Sequence, residues 1–472
     1  MKVALPLLVA LVACASTVPA VDAQVVPAAG AFLPGSTSPF LGSVPPASET
    51  NTPATLTIRE AITRALEHNL GLLLSEQAGA RAQGARWTAL SALLPQVDGH
   101  VSERRQVTNL AAFGFPLPAG TPSIVGPFNV FDARVSVQQT VLDFRALNDL
   151  RAERHNLAAA DYTIRSARDL VVLVTANAYL QALAAAARAE SAHAQLRTAE
   201  ALHRQAANLK AGGLVAGIDV LRAELQASTQ RQRDTAATHA AEKARLQLAR
   251  IIGLPPGHAI GLVDEIPDVP APSASVDSAI ARALETRPDY LAAQARVRAA
   301  EALRAAAAGE SLPSVRVNAD YGAIGLSPST AEPTYLIAGT VSVPLFEGGR
   351  RRGRLQDADA TLRSRRAEAE SLRAEIDYDV RTAFLDLQST QEQLTVAASA
   401  RELADRQLTQ ARDRLAAGVA NTVEVVQAQE AVALSSEQYI GALYGFNIAK
   451  AVLARSMGVA ERTADQYLGG IR

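Results

Sequence analysis

The pattern of hydrophobic and polar positions divides the chain into long helical tracts and a few segments of alternating character. Helical spacing, with an apolar residue at every third or fourth position, is typical of the tracts, as at Ile376, Val380, Phe384 and Leu387. Period-two alternation marks strands, because successive side chains of a strand point to opposite faces. The clearest example alternates polar residues with Val315, Val317, Ala319 and Tyr321.

Four segments are predicted as strands, and each is about ten residues long, the span of a tilted transmembrane strand. They lie at about 97–107, 129–141, 314–324 and 335–346. An open sheet in lipid would leave the backbone groups of its edges unpaired. Four amphipathic strands therefore either share a barrel with other copies of the chain or form a soluble sheet domain.

Helical tracts flank each strand pair in the same order. In each half the pattern predicts a first helix, a very long helix after the strands, and a returning helix after a glycine-containing turn. These helices lie at 57–93, 145–211 and 218–252 in the first half, and at 275–311, 348–417 and 422–457 in the second. At 1.5 Å per residue the long tracts would each extend about 100 Å.

The two halves also share short strings of sequence in the same order. Ala61-Ile62 recurs as Ala279-Ile280, and Leu248-Ala249-Arg250 recurs as Leu453-Ala454-Arg455. Agreement at several separated places indicates a tandem duplication. The predicted division is a first structural repeat at 56–258, a second at 259–458 and a C-terminal tail at 459–472.

Composition supports elongated helices over a compact enzyme. The 472-residue chain is 48% hydrophobic but only 4% aromatic, and Ala and Leu with Arg, Glu and Gln are typical of long helices. A net charge of −1 argues against a nucleic-acid partner, which usually requires a basic excess. The single cysteine excludes an internal disulfide framework.

The N-terminal segment is predicted to be an export signal. Lys2 precedes an apolar run at 3–12, and Val21-Asp22-Ala23 forms a small-x-small cleavage site, so 1–23 reads as a signal peptide. Alternatively, Leu11-Val12-Ala13-Cys14 resembles a bacterial lipobox, in which case the signal is cleaved before Cys14 and Cys14 carries a lipid. Residues 24–55, rich in Pro, Ala, Ser and Gly, are predicted to be an irregular leader. Beyond the signal we expect no apolar run long enough for a transmembrane helix.

Short motifs occur at the strand-to-helix junctions and at the helix turns. They are Leu142-Asp143-Phe144-Arg145, 342–350 (SVPLFEGGR), Gly213-Leu214-Val215 with Asp219-Val220-Leu221, and Gly418-Val419 with Glu424-Val425. Together with the repeated order of elements, they resemble the TolC-like outer-membrane factors of the outer membrane efflux protein family. The resemblance covers roughly 55–458.

This resemblance implies a mostly α fold with a transmembrane β-barrel contribution. In the family, a homotrimer combines four strands from each chain into a 12-stranded barrel in the bacterial outer membrane, and the helices form an α-helical periplasmic tunnel. The implied function is a passive exit duct of a tripartite efflux pump or type I secretion system. Its implied partners are a periplasmic adaptor (membrane fusion protein), an inner-membrane transporter and outer-membrane lipid. The alternative is a periplasmic coiled-coil scaffold or adaptor with a soluble sheet domain.

The carboxylates after the two turns are the candidate gate residues. Asp219 and Glu424 each follow a turn glycine, and a trimer would bring six such carboxylates near one axis, where a charged ring favours cations. Acids in the first turn of a helix also complement its dipole, so both interpretations stay open. By resemblance, Gln427 and Leu415 belong to the same constriction, although relatives often carry an acid and an aromatic residue there.

The turn residues are predicted to be exposed although several are apolar. By resemblance they form the tips that contact the adaptor, whereas a purely structural interpretation is that glycine permits the turn. The tip residues are Gly213, Leu214, Val215, Gly418 and Val419. No cofactor is expected, because no His, Cys and carboxylate cluster has metal-ligand spacing and no catalytic motif is present.

Four arginines lie at the start of the long helix of the second half, at 350, 351, 352 and 354. Positive charge at a helix N-terminus is unfavourable, so we expect an offset from lipid phosphates or from acids on a neighbouring helix, unless solvent alone surrounds them.

Overall fold

The computed structural model describes residues 38–46, 54–114, 122–213, 215–255, 257–267, 269–270 and 275–467. The predicted signal peptide, Cys14, most of the predicted leader and Leu214 lie outside these residues. In the first half the elements are β1 (Ala54–Leu56), α1 (Ile58–His68), α2 (Leu70–Ser91), β2 (Gln96–Asn109), β3 (Ile124–Leu142), α3 (Phe144–Ala211), α4 (Gly217–Ile252) and β4 (Ile260–Leu262). In the second half they are α5 (Val276–Thr286), α6 (Pro288–Gly309), β5 (Ser314–Gly325), β6 (Glu332–Ser342), α7 (Arg350–Ala416), α8 (Thr422–Ser456) and α9 (Ala460–Tyr467).

The first helix of each half is divided into two, which the periodicity did not predict. Between α1 and α2, Asn69 is extended, and its side chain accepts hydrogen bonds from the backbone N–H groups of Gly71 and Leu72. Between α5 and α6, Pro288 takes the first helical position, where its missing N–H costs no hydrogen bond. The residue before a proline is disfavoured in helical geometry, which ends α5 at Thr286.

The four long strands form one antiparallel sheet in the order β2-β3-β5-β6. In one chain this sheet is open, with β2 and β6 at its edges. The strands differ in extent from the predicted segments, since β3 begins at Ile124 and β6 ends at Ser342. Residues 343–346, which we predicted to be strand, follow β6 as irregular chain, and Pro344 there has no N–H to donate to a ladder.

The sheet has one apolar face and one polar face. Large apolar residues on the first face are highly exposed, for example Val101 at 72% and Ile337 at 73%. On the polar face Arg134 donates hydrogen bonds to Asp132 (2.8 Å) and to Asp320 (2.9 Å) on the neighbouring strand. Gly322 is paired with Arg134, whose backbone and Cβ occupy the space that a β-carbon at position 322 would need.

The helices continue the lateral order of the strands, because α2 contacts α3, α3 contacts α6 and α6 contacts α7. Farther from the sheet, α3 pairs with α4 and α7 pairs with α8, so each long helix and its returning partner form a hairpin. The same sequence of elements thus occurs in both halves, and each strand pair leads into one long hairpin.

One helix of the described residues, α3, contains an 18-residue window that is long and apolar enough to cross a membrane by composition. This corrects our expectation that no such run follows the signal. The window is 72% buried and contributes Leu173, Tyr179 and Leu180 to the main core, as the core helix of a folded protein would.

A small parallel pair, β1 with β4, joins the beginning of the first half to the segment that leads into the second. The Tyr179 hydroxyl donates to the Leu56 carbonyl oxygen and lies 2.8 Å from Oδ2 of Asp264. The same Asp264 oxygen accepts from the Ile58 N–H at 2.8 Å, so one carboxylate fixes both the start of α1 and the buried tyrosine. Burial and the hydrogen bond to Asp264 raise the pKa of Tyr179.

Three of the four arginines at the start of α7 are paired with nearby acids. Arg350 and Arg351 lie against Glu347, and Arg354 pairs with Glu310, which follows α6 and also lies 3.0 Å from Arg145. For these arginines, acids on neighbouring segments therefore offset the positive charge at the N-terminus of α7, as we expected.

Candidate functional site at the hairpin ends

Two turns close the hairpins at the end away from the sheet. Gly213 follows α3 with a φ of +71°, and Gly418 follows α7 with a φ of +74°. This left-handed conformation is strained for residues with a β-carbon, so glycine is required for the reversal. Gly418 and Val419 donate their N–H groups to the carbonyls of Leu415 and Arg414, which satisfies the last turn of α7.

At the α7–α8 turn, Glu424 lies in the first turn of α8 and its carboxylate is 3.0 Å from Nε of Arg414, in the last turn of α7. The Asn421 side chain caps α8 by accepting from the Glu424 N–H at 3.2 Å. An acid at a helix start and a base at a helix end both complement the helix dipoles. Sequence reasoning missed Arg414, because only the turn geometry brings it to Glu424.

The α3–α4 turn is built differently. Asp219 lies in the first turn of α4 and is 3.4 Å from Arg222 of the same helix. Ala216 precedes α4 without a side-chain cap. The two predicted gate carboxylates thus occupy equivalent places, but only Glu424 is paired across its turn.

The other two predicted constriction residues have different surroundings. Leu415 is half-buried and packs against a small apolar cluster that holds the hairpin ends together. That cluster consists of Leu202, Ala411, Val425 and Ala428. Gln427 is exposed on α8.

The tip residues are largely accessible. Gly213, Gly418 and Val419 are exposed, with Val419 at 66%, and Val215 is half-buried. Beyond the predicted set, Ile218 and Leu221 at the start of α4 are 51% and 61% exposed. The ends of both hairpins therefore present apolar side chains, as sites of protein contact often do.

A polar cluster joins α4 of the first hairpin to α8 of the second, a few residues beyond the turns. Glu430 of α8 accepts hydrogen bonds from Gln226 (2.6 Å), Gln230 (3.1 Å) and Arg233 (2.9 Å), all on α4. Burial raises the pKa of Glu430, but these donors outweigh it and hold the pKa below its usual value. We name this set the Glu430 cluster; the sequence pattern did not reveal it, since its members are far apart in the chain.

Within the described residues, no group of three or more His, Cys, Asp or Glu side chains is placed to hold a metal ion. Two histidines of the first hairpin each lie near a single acid, with His193 3.5 Å from Asp234 and His239 3.3 Å from Glu242. The hairpin ends are thus a site of charge and apolar contact.

Comparison with known families decides the identity of this architecture. The sequence matches the model of the Outer membrane efflux protein family over residues 61–254 and 279–459, one segment in each half. The chain belongs to this family. It is a family of outer-membrane channels that function in transport, as the resemblance to TolC-like factors indicated. A search of curated proteins finds no match.

Solved structures of bacterial membrane proteins share the fold of this chain. The chain is similar to the outer membrane protein VceC from Vibrio cholerae, with 21% identity, 85% of this chain and 96% of that chain covered, and a TM-score of 0.72. It is similar to the Campylobacter jejuni CmeC outer membrane channel, with 16% identity, coverage of 92% and 96%, and a TM-score of 0.74. A membrane protein from Pseudomonas aeruginosa gives 20% identity, coverage of 89% and 92%, and a TM-score of 0.73.

Proposed function

We propose that three copies of this efflux-family chain form a passive exit duct in the bacterial outer membrane, within a tripartite efflux pump or a type I secretion system. The open sheet is the observation that carries the proposal. Its edge strands β2 and β6 run in opposite directions, so β6 of one copy can pair with β2 of the next and keep the antiparallel pattern. Closure removes the unpaired backbone groups that an edge would leave in lipid.

The helices support the same assembly. The lateral order α2-α3-α6-α7 follows the strands and leaves α2 and α7 at the sides of the chain. Apolar residues on these flanking helices are exposed in a single chain, for example Leu74 on α2 at 52% and Leu385 on α7 at 66%. Contact with neighbouring copies would cover them and continue the tunnel into the periplasm.

The hairpin ends supply the gate in this proposal. Asp219 and Glu424 from three copies surround the axis, Arg414 moderates the charge of Glu424, and the Glu430 cluster ties the two hairpins of each chain. Opening requires the hairpins to separate, which loosens these contacts. Exposed apolar residues at the tips, such as Val419 and Leu221, form the surface for the periplasmic adaptor, through which the inner-membrane transporter supplies energy.

The test combines fractionation with single-channel recording. We expect a heat-resistant oligomer in outer-membrane fractions, and we expect Asp219→Ala with Glu424→Ala to weaken block of the channel by multivalent cations. Glu402→Ala, an exposed acid farther up α7, is the control and should leave block unchanged. A soluble periplasmic chain would contradict the duct, whereas unchanged block in the double variant would contradict only the gate.

A further inference from the structure

A cavity of about 820 Å³ lies between the two hairpins, apart from the tip residues. Its walls come from α3, α4, α7 and α8, with Leu262 of β4 and residues 264–266 completing the lining. Pockets that hold small organic molecules are usually about 300–1,000 Å³ in volume. The space is therefore large enough for one such molecule.

Two buried glutamines line this cavity with amide atoms that have no hydrogen-bond partner among the described residues. Gln429 is only 7% exposed, and both its Oε1 and its Nε2 are unpaired. Gln230 is 2% exposed; its Nε2 donates to Glu430, but its Oε1 is unpaired. Buried polar groups in folded proteins are nearly always paired, with protein or with ordered water, so these atoms are available to a polar group bound in the cavity.

The rest of the lining is amphipathic. Leu183, Ile440 and Leu443 form an apolar wall between α3 and α8. Also in the lining, the Arg401 guanidinium lies over the Tyr439 ring, 4.9 Å from its centroid. An apolar wall beside a few polar groups is the usual composition of a site for a small organic molecule.

The charged groups of the lining are predominantly acidic. Four carboxylates face two guanidinium groups, and Arg401 is the guanidinium engaged by Tyr439. Asp264 is already occupied by Tyr179 and Ile58, whereas Glu190 on α3 and Asp405 on α7 are exposed. Excess negative charge in a partly enclosed space favours a cationic ligand.

We propose that this cavity binds a small amphiphilic cation. Its apolar body lies along Leu183, Ile440 and Leu443, a polar group pairs with the amide of Gln429, and its positive charge is balanced by Glu190 and Asp405. The site goes beyond the proposed duct, because the cavity lining includes none of the tip residues and neither of the carboxylates assigned to the gate.

The test measures binding to the full-length protein in detergent-free lipid nanodiscs by isothermal titration calorimetry. The probe is dodecyltrimethylammonium below its micelle concentration, with dodecyl sulfate and dodecyl maltoside as probes of matched chain length, and empty nanodiscs as the blank. We expect saturable binding of the cation alone. Gln429→Leu and the pair Glu190→Gln, Asp405→Asn should each weaken it about tenfold or more. Glu242→Gln, an exposed acid on α4 outside the cavity lining, is the control variant.

Several outcomes would overturn the site. Equal binding of all three probes would mean partition into lipid, and no binding of any probe would mean that a protein segment fills the cavity. Unchanged affinity in Gln429→Leu would mean that water satisfies the amides. If Gln429→Leu unfolds at a lower temperature, the exposed Glu190 and Asp405 variants still decide the result. Single-channel conductance of the same preparations separates this proposal from the duct, since either result can fail without the other.

Discussion

Arg414 Nε lies 3.0 Å from the carboxylate of Glu424, so the last turn of α7 and the first turn of α8 are joined by an ion pair within one chain. Both side chains are well exposed, at 57% and 41%, which limits the contribution of the pair to stability to about 1 kcal/mol or less. Its consequence is electrostatic: in the proposed gate, Glu424 would meet a passing ion with its charge partly neutralised by Arg414.

Removing Arg414 should therefore change cation block in the opposite direction from removing the acid. We expect Arg414→Gln to strengthen multivalent-cation block about two- to fivefold at low salt, the equivalent of an exposed ion pair, and Glu424→Gln to weaken it. Single-channel recordings at two ionic strengths measure this, and the difference should shrink at high salt. A shift of both variants in the same direction would contradict the assignment.

Acidification should weaken the link between the hairpins through Glu430. Its pKa in the folded protein is below the ordinary 4.5, so its contribution to stability is present above that value and is lost as the pH falls through the lowered pKa. We expect Glu430→Gln to melt at a lower temperature than the wild type near neutral pH, with the difference shrinking below pH 4.5. Thermal unfolding between pH 7 and pH 3 tests this.

Glu437, on the same helix as Glu430, provides the control. It pairs with Arg188 at 2.8 Å, and its side chain is 57% exposed. Glu437→Gln should have a small effect at neutral pH. A Glu430→Gln deficit that stays constant across the whole pH range would mean that the carboxylate charge does not carry the link.

Gly322 should be indispensable to the sheet whereas Gly339 is not. A β-carbon at Gly322 would meet the carbonyl oxygen of Ala133 and lie 2.7 Å from Cα of Arg134, but at Gly339 it would meet nothing within 4 Å. We expect Gly322→Ala to lower the free energy of unfolding by about 1–3 kcal/mol, as overpacking does. Gly339→Ala should have little effect, and equal unfolding temperatures for the two variants would show that the β3–β5 pairing relaxes.

The buried arginine between α5 and α6 should be more important to stability than any surface pair. Arg287 has 7% side-chain exposure and lies 2.7 Å from Asp289 and 2.8 Å from Asp379, whose side chain is 11% exposed. Arg287→Met would leave the buried Asp379 carboxylate without the guanidinium that donates to it, at a cost of about 3–5 kcal/mol. Chemical denaturation of the purified protein measures this loss.

The control for that variant is Arg381→Met on the same helix as Asp379. Arg381 pairs with Asp377 at 3.1 Å, and both side chains are about half exposed, so we expect a loss below about 1 kcal/mol. Comparable losses of unfolding free energy in the two variants would contradict the prediction, because the buried pair would then contribute no more than an exposed one.

Sequence reasoning was most successful where strong local signals mark an element. Gly213 and Gly418 end the long helices, so their ends agree with α3 and α7 to within a few residues. The breaks at Asn69 and Arg287 were missed, because the apolar period continues across each of them. The three-residue strands β1 and β4 are too short to show a period.

The residues of the candidate site were likewise predicted only in part. The positions of Asp219 and Glu424 follow from the turn motifs, but the partners Arg414 and Gln226 depend on how the helices pack. The apolar window of α3 has the composition of a membrane span, yet tertiary packing places it in the core. The positions of turn and capping residues can thus be predicted from the sequence, whereas contacts between distant segments become evident only from the fold.

The parallel pair of β1 and β4 has a consequence for the order in which the chain folds. Because residues 54–56 pair with 260–262, the first repeat closes into a loop that contains all its own helices and one strand hairpin. A chain delivered with its N-terminus first can complete this closure before the second repeat arrives, whereas the four-stranded sheet must wait for β5 and β6. The packed helices of the first repeat would then hold the β2–β3 hairpin in place as a template on which β5 and β6 complete the sheet.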